Sequence, residues 1–359
     1  MIYFDVTKTG AAGHRSGLTR VSRRLREELD AAVRTIVWRE GAWRTEAGPA
    51  VALTSDDWLL TAELFSEPER PGFWSFLQTR PCRLAALFHD AIPLKLPQIT
   101  WPQSAARCPE YLKMLAAFDR VFAISAASHD ELTGFWHWQG VEPRARVTTL
   151  ALGADFSQRP RPLPTEFAET APPSLVCVGI LEPRKNQLFL LEVCESLWAE
   201  GLDFALHVVG RVNPQFGRPV VEKIRALAKR GRAVHHHAKA EDATLLSLYG
   251  GSRASVFATQ AEGCGLPVLE SLWLGVPCVC SDLPVLRENA DLGGCVSVPL
   301  NDAKAWRGAL RRVLTDSAWA AELRVQARAR RLPTWAESAA TLRAGLAKSL
   351  SDLCPRPQK

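Results

Sequence analysis

Ala254-Ser-Val-Phe-Ala-Thr-Gln-Ala-Glu-Gly-Cys-Gly-Leu-Pro-Val-Leu-Glu270 decides how this chain is to be read. Ala254 to Thr259 predicts a strand, Leu266 to Leu274 predicts a helix, and a glycine-rich turn joins them. A strand that ends in small residues and turns into a helix start exposes backbone N–H groups and the positive end of the helix dipole, which suits an anion. Glu262 and Glu270 flank that turn, and two carboxylates would repel a phosphate. Hydrogen bonding to sugar hydroxyls is the task that fits them, so the segment reads as a nucleotide-sugar site.

The same rhythm extends on both sides. Strands are expected at Leu175 to Gly179, Phe204 to Gly210, Ala233 to His237, Pro277 to Ser281 and Cys295 to Val298. Helices are expected at Gln187 to Ala199, Val221 to Lys229 and Ala243 to Tyr249. Such alternation implies a parallel sheet with helices on both faces. The first half shows it less cleanly, with strands expected at Ile2 to Val6, Thr35 to Trp38, Leu59 to Ala62, Leu84 to His89, Arg120 to Ile124 and Val147 to Leu150. Leu18 to Ala32 and Tyr111 to Phe118 are its helical stretches. Prolines 160, 162, 164, 172 and 173 are too dense for helix or central strand. The expected organisation is therefore an α/β chain of two doubly wound parallel-sheet domains. Residues 1–155 form the first, 156–174 a proline-rich linker and 175–333 the second, followed by a helix over 334–353 and a tail over 354–359.

A length of 359 residues accommodates two domains, and 47% hydrophobic with 23% charged residues is ordinary for a globular protein. No apolar run approaches the ~18–20 residues needed to span a bilayer, and Met1-Ile-Tyr-Phe-Asp5 opens like a strand and not like a signal peptide. A cytoplasmic protein is expected. Nine cysteines without C-x-x-C spacing read as reduced, buried apolar residues. The net charge of +6 includes arginines 20, 23, 24 and 26 beside Leu18, Val21 and Leu25. That helix can rest on anionic lipid or pack on its own domain with a wet basic face, and the sequence leaves both open. Basic and aromatic residues do not interleave in a stacking pattern on any strand, which argues against a nucleic-acid partner.

Other candidates lie at predicted strand ends. Glu182-Pro-Arg184-Lys185-Asn186 follows Gly179, at the carboxyl edge of its strand, and an arginine fork beside a lysine point charge suits a diphosphate. His89 and Asp90 follow Leu84 to Phe88; such a histidine can donate to a sugar hydroxyl, and the aspartate can orient it or an acceptor. Thr9-Gly10-Ala-Ala-Gly13-His-Arg-Ser-Gly17 lacks the G-x-G-x-x-G spacing of a dinucleotide site, and its glycines serve either loop flexibility or approach to a phosphate. His235-His236-His237 is no metal centre, because consecutive strand residues point to opposite faces.

Taken in order, Gly179, the Glu182 to Asn186 turn, the Tyr249 helix, Glu262 to Pro267, Glu270 and Gly275 to Ser281 resemble the retaining glycosyltransferases of family four, the group 1 type. Ser16 to Arg20, Phe88 to Asp90, Ala123 to Ser125 with Ser128, and Gly153 extend the likeness toward bacterial mannosyltransferase-type members that build surface polysaccharides. The resemblance implies the GT-B fold, two Rossmann-like domains facing a central cleft. It implies Glu270 on the ribose, Glu262 at the sugar's C3 hydroxyl, Arg184 and Lys185 on the leaving diphosphate, and the Gly263, Cys264, Gly265 and Leu266 amides on donor oxygens. His89 would touch the donor sugar, Gly13 and Gly17 would flank its phosphates, and Asp90 and Ser125 stand on the acceptor side. Cys264 departs from the family, which usually carries an aromatic residue there. No metal or cofactor is implied. The substrates would be a nucleotide sugar, GDP-mannose first, and a saccharide or lipid-linked glycan, handled at the inner face of the cell membrane. A nucleotide-sugar 2-epimerase or a noncatalytic sugar-binding subunit of the same fold is the alternative.

Overall fold

The computed structural model describes residues 1–10, 17–155, 161 and 172–347. Gly13, most of the expected linker, and the chain beyond 347 lie outside the described residues. The chain divides into two compact units, Ala154–Leu332 and, before it, Met1–Gly153, which takes up the chain again from Pro333.

The first unit runs β1 (Ile2–Asp5), α1 (Gly17–Leu29), β2 (Val33–Arg39), β3 (Ala42–Thr45), β4 (Trp58–Thr61), α2 (Phe73–Thr79), β5 (Arg83–Phe88), α3 (Ile92–Lys95), α4 (Pro102–Leu115), β6 (Arg120–Ala123), α5 (Ala126–Trp138) and β7 (Arg146–Thr149). Its sheet has the order β3-β2-β1-β4-β5-β6-β7 and is parallel except for the β2–β3 hairpin. The second unit runs β8 (Ser174–Val178), α6 (Gln187–Ala199), β9 (Ala205–Val209), α7 (Arg218–Lys229), β10 (Val234–His237), α8 (Asp242–Gly251), β11 (Ala254–Phe257), α9 (Leu266–Trp273), β12 (Cys278–Ser281), α10 (Pro284–Ala290), β13 (Cys295–Val298), α11 (Ala303–Thr315) and α12 (Ser317–Ala329). Its sheet is parallel throughout, ordered β10-β9-β8-β11-β12-β13. A last helix, α13 (Trp335–Ala347), belongs to the first unit and packs along α1.

Helices cover both sheet faces, so inner strands are largely buried. β4, β6, β11 and β12 expose no residue, as expected of a parallel sheet without a wet side. In each sheet the chain starts in the middle, winds outward to one side, then crosses back. β1 beside β4, and β8 beside β11, are thus the points where successive connections leave in opposite directions. Their carboxyl ends form the crevice where open α/β sheets take ligands.

Several sequence expectations need correction. Strand β3 was not expected. It is the second half of a hairpin whose loop residues, Glu40 and Gly41, both have positive φ (53° and 72°), a geometry that glutamate does not announce. Helix α4 begins at Pro102, well before Tyr111, and runs through Pro109. Helix α10 stands between β12 and β13, where no element was assigned, with proline at its start where no amide is needed.

The arginine-rich α1 resolves as a packing helix. Val21 and Leu25 are buried, and so is Arg24, which pairs with Glu28 at 3.2 Å and lies 5.9 Å from the Trp335 ring of α13. Its apolar stripe is therefore covered by its own unit. Gly153 marks the same junction, since a Cβ there would stand 2.3 Å from the Trp335 amide nitrogen.

Candidate functional site

In the second unit the connections after β8 and β11 meet side by side. The chain leaves β8 through Gly179 and makes one 3-10 turn, Pro183–Lys185, which ends on Asn186 at φ 58°. The Gln260 amide donates to the Arg184 carbonyl at 2.8 Å, so the two loops are tied by backbone. Lys185 turns inward, 9% exposed, with its stem 3.4 Å from where a Gly179 Cβ would be and its ammonium 4.7 Å from the Phe257 ring centre. There it meets Glu262. Lys185 Nζ lies 2.6 Å from Glu262 Oε1, Arg184 Nη1 lies 3.0 Å from the same oxygen, and the Thr259 hydroxyl donates to it at 2.7 Å. All three contacts converge on Oε1, which leaves Oε2 for a ligand hydroxyl.

Burial would raise the Glu262 carboxyl, but Lys185 and Arg184 outweigh it and hold the group below its ordinary value. Burial also pulls the Lys185 ammonium below its ordinary value, and the neighbouring Arg184 adds to that against the pull of Glu262. The two directions agree physically, because one carboxylate oxygen serves two cations. The lysine is under-compensated, and an arriving phosphate would supply the charge it lacks.

Gly265 has φ 78° and opens α9; a Cβ there would meet the Leu286 side chain at 2.5 Å. Only glycine turns the chain so sharply from Glu262 into the helix, where Leu266 is the first helical residue and Glu270, buried at 4%, lies one turn on. Gly263 sits buried between Glu262 and Cys264. The Cys264 carbonyl accepts from Asn289 Nδ2 at 2.9 Å, and burial pushes its thiol up to about 12, so it is a small neutral side chain and no nucleophile.

In the first unit, His89 and Asp90 follow β5. His89 is buried, and its Nε2 bonds the Ala62 carbonyl at 2.9 Å, so that nitrogen carries the hydrogen. Desolvation keeps the ring neutral by lowering its proton affinity. The sequence pointed to a donor here, whereas the N–H is spent on Ala62 and the ring offers Nδ1 as an acceptor. Asp90 Oδ1 accepts from the Ile92 amide at 3.0 Å and starts α3. Ser125 caps α5, accepting from the Ser128 amide at 2.9 Å, and the Ser128 hydroxyl donates to the His89 carbonyl at 2.7 Å. Gly17 is the exposed first residue of α1.

Residues 172–316 match the family model described as glycosyl transferases group 1. This segment is a group 1 glycosyltransferase domain. The chain is 31% identical over 260 residues to the serotype-specific mannosyltransferase WbdA of Escherichia coli, covering 68% of this chain and 32% of that protein. It thus spans about a third of that relative's length. Among solved structures, a sucrose-phosphate synthase from Thermosynechococcus elongatus superposes with TM-score 0.71 at 19% identity, covering 96% of this chain and 98% of the other. The Anabaena protein Alr3699/HepE, solved with UDP and glucose, superposes with TM-score 0.68 at 13% identity, covering 96% and 98%. At such identities the likeness concerns the fold, which is the GT-B architecture of two parallel-sheet α/β domains.

The site contains residues to which the sequence assigned no role. Thr259 orients Glu262, Glu182 holds Arg184 at 2.9 Å, and Asn213 Nδ2 holds Glu182 at 3.1 Å. Asn186, Gln260 and Asn301 form an amide chain at 3.2 and 2.9 Å that joins the site's two loops to the segment before α11. Thr259 had a legible signal, standing at a strand end three residues before Glu262. Asn186 stood in the quoted turn, whereas Asn213 and Asn301 had none. Among the described residues no cluster of three or more ligating side chains could hold a metal ion, and no helix is long and apolar enough to cross a membrane.

Proposed function

We propose that this chain is a retaining, metal-independent hexosyltransferase. It moves mannose from GDP-mannose onto a saccharide or lipid-linked glycan in bacterial surface polysaccharide synthesis. The observation that carries this reading is the convergence of Arg184, Lys185 and Glu262 at the β8–β11 switch point, beside the start of α9. As the bond from the anomeric carbon to the diphosphate breaks, the electron pair goes to the phosphate oxygen, and fixed cations there stabilise the growing charge without reorganising. The acceptor oxygen bonds the anomeric carbon from the same face and its proton passes to the departing phosphate oxygen. Glu262 Oε2 takes the sugar's C3 hydroxyl, Glu270 the ribose, and the Gly263 to Leu266 amides the donor oxygens. His89 accepts from a sugar hydroxyl through Nδ1. Gly13 and Gly17 flank the donor phosphates, with Asp90 and Ser125 on the acceptor side.

Mannose is favoured by the mannosyltransferase relative, whereas a structural neighbour was solved with UDP. Peripheral contact with an anionic leaflet rests on the net charge of +6 and not on the stripe of α1, which is buried. The test is to offer GDP-mannose and UDP-hexoses with oligosaccharide and lipid-linked acceptors, with and without EDTA, and to follow the anomeric signal by NMR. The expected product keeps the donor's configuration, forms equally in EDTA and disappears in Glu262→Ala. An inverted product, or no turnover of any nucleotide sugar, would overturn the reading.

A further inference from the structure

The switch point of the first unit carries a charge cluster of its own, wholly buried. Arg70, 1% exposed, places Nη1 2.7 Å from Asp5 Oδ2 and Nη2 2.5 Å from Glu63 Oε2, with its guanidinium 3.6 Å over the Phe65 ring. Asp5 is the last residue of β1 and Glu63 follows β4, so the two carboxylates stand at the adjacent strand ends where the sheet reverses. Asp5 receives the hydroxyls of Thr7 and Thr61, each at 2.6 Å. Glu63 does something different. It accepts the backbone amides of Lys8 (2.8 Å) and Thr9 (2.7 Å) and the Thr9 hydroxyl (2.9 Å). These residues lead from β1 toward Gly17 and α1, and Thr9 is fastened to α1 through Ser22 at 3.2 Å.

Burying two acids and one arginine is costly for a fold that needs only packing there, and hydrophobic residues of the same size serve stability as well or better. The cluster therefore calls for another explanation, and what it holds supplies one. We propose that Glu63 is a positioning residue. Braced by Arg70 and Asp5, it fixes the backbone from Thr7 to Gly10 at the sheet's reversal, the place where this unit would meet a donor diphosphate. This inference rests on the donor-binding reading of Gly13 and Gly17.

The brace is sensitive to protons. Burial and the Asp5 charge push the Glu63 carboxyl up to about 7 against the pull of Arg70. The charged groups around it are Asp5 from β1, Arg70 after β4, and Lys8, whose ammonium reaches Glu69 at 2.7 Å; Glu69 also lies 3.6 Å from Arg107 of α4. Tyr111, packed on Phe65 from α4, stays neutral because burial raises its phenol. Protonation turns one acceptor oxygen into a donor facing backbone amides, and the segment loosens. The same proton stabilises the fold as a whole. The folded value lies above the unfolded one of 4.5, so this group's contribution is full below 4.5 and lost as the pH rises through 7. Loop order and global stability thus move oppositely with pH, which no purely structural role predicts.

The test is amide hydrogen exchange of Lys8 and Thr9 in the full chain, corrected for intrinsic rates, at pH 6 and pH 8, for wild type and Glu63→Gln. Protection in wild type should fall about tenfold or more from pH 8 to pH 6, and Glu63→Gln should lack both the protection and the step. Donor KM should rise about tenfold in the variant with kcat within about threefold. Unchanged protection of the two amides in Glu63→Gln, or a pH-independent wild type, overturns the inference. The wild-type pH step needs no variant and decides the matter if Glu63→Gln does not fold. Absence of turnover with every nucleotide sugar in wild type would sink the donor reading while the exchange result still judged the brace.

Discussion

Lys185→Met separates the chemistry of the site from its architecture. Methionine keeps an unbranched apolar stem where the lysine passes Gly179 and Phe257, and removes only the ammonium. Its loss breaks the 2.6 Å contact to Glu262, but that carboxylate keeps Arg184 at 3.0 Å and the Thr259 hydroxyl at 2.7 Å. A buried pair broken with nothing left for the survivor costs about 3–5 kcal/mol. Here two partners remain and a buried ammonium no longer has to be desolvated, so about 1–2 kcal/mol is expected. At about 2–4 °C per kcal/mol for a unit of this size, the melting temperature should fall by about 2–8 °C. Catalysis should suffer far more. A preorganised group lost from the leaving-group site costs about 10²–10³ in kcat. The assay is donor turnover at saturating nucleotide sugar beside a thermal melt of the same preparation. A variant that melts inside that window and still turns over donor within about threefold of wild type would refute the assignment of Lys185 to the diphosphate.

Gly265→Ala forces a Cβ to within 2.5 Å of Leu286 at φ 78°; it should cost about 1–3 kcal/mol in melts and raise donor KM, because the strain falls on the turn between Glu262 and α9. Arg161 donates to the carbonyls of Leu272 and Trp273 at the end of α9 and of Ala327 and Arg330 at the end of α12, at 2.6–2.8 Å. Arg161→Ala should destabilise the second unit by about 2–4 kcal/mol in urea unfolding, and Arg161→Lys should recover only part of it. His207 faces His235 and His237 on the neighbouring strand, with a 3.2 Å contact to His237 Nε2. Burial first, then the two imidazoles, push it down to about 4. Its folded value lies below the unfolded one of 6.5, so stability should fall as the pH drops from 6.5 toward 4, and His235→Gln should flatten that slope in pH-dependent melts.

The second unit's strands were legible because each is a short apolar run bounded by turn residues, and a sheet buried on both faces requires such runs. Strand β3 and helix α10 were not. One depends on Glu40 adopting a left-handed backbone, the other on a seven-residue helix that begins with proline, and neither leaves a periodic signal. Arg184, Lys185 and Glu262 stood out because charged residues beside glycines at strand ends have few structural uses. Gly265 needed its φ, and His89 needed Ala62, before the role of either became specific.

The Asp5, Glu63 and Arg70 cluster was invisible in sequence for a physical reason. Its members look like ordinary surface charges until folding brings Asp5, 58 residues from Glu63 by number, to the same reversal of the sheet. Yet each unit, taken by itself, uses the same device. In the second unit Arg184 and Lys185 pair with Glu262 where β8 and β11 end; in the first, Arg70 pairs with Asp5 and Glu63 where β1 and β4 end. The sheet's reversal explains the coincidence. Two loops that diverge from adjacent strands leave amides without ladder partners, and a crevice shielded from water strengthens whatever charge satisfies them. An ionised carboxylate there needs a cation. In the second unit the cations face the position assigned to the diphosphate, whereas in the first the arginine is spent on two acids and the carboxylate on two amides. The arrangement in the second unit can meet an anion directly, whereas the one in the first unit has its charges spent and can only hold backbone in place.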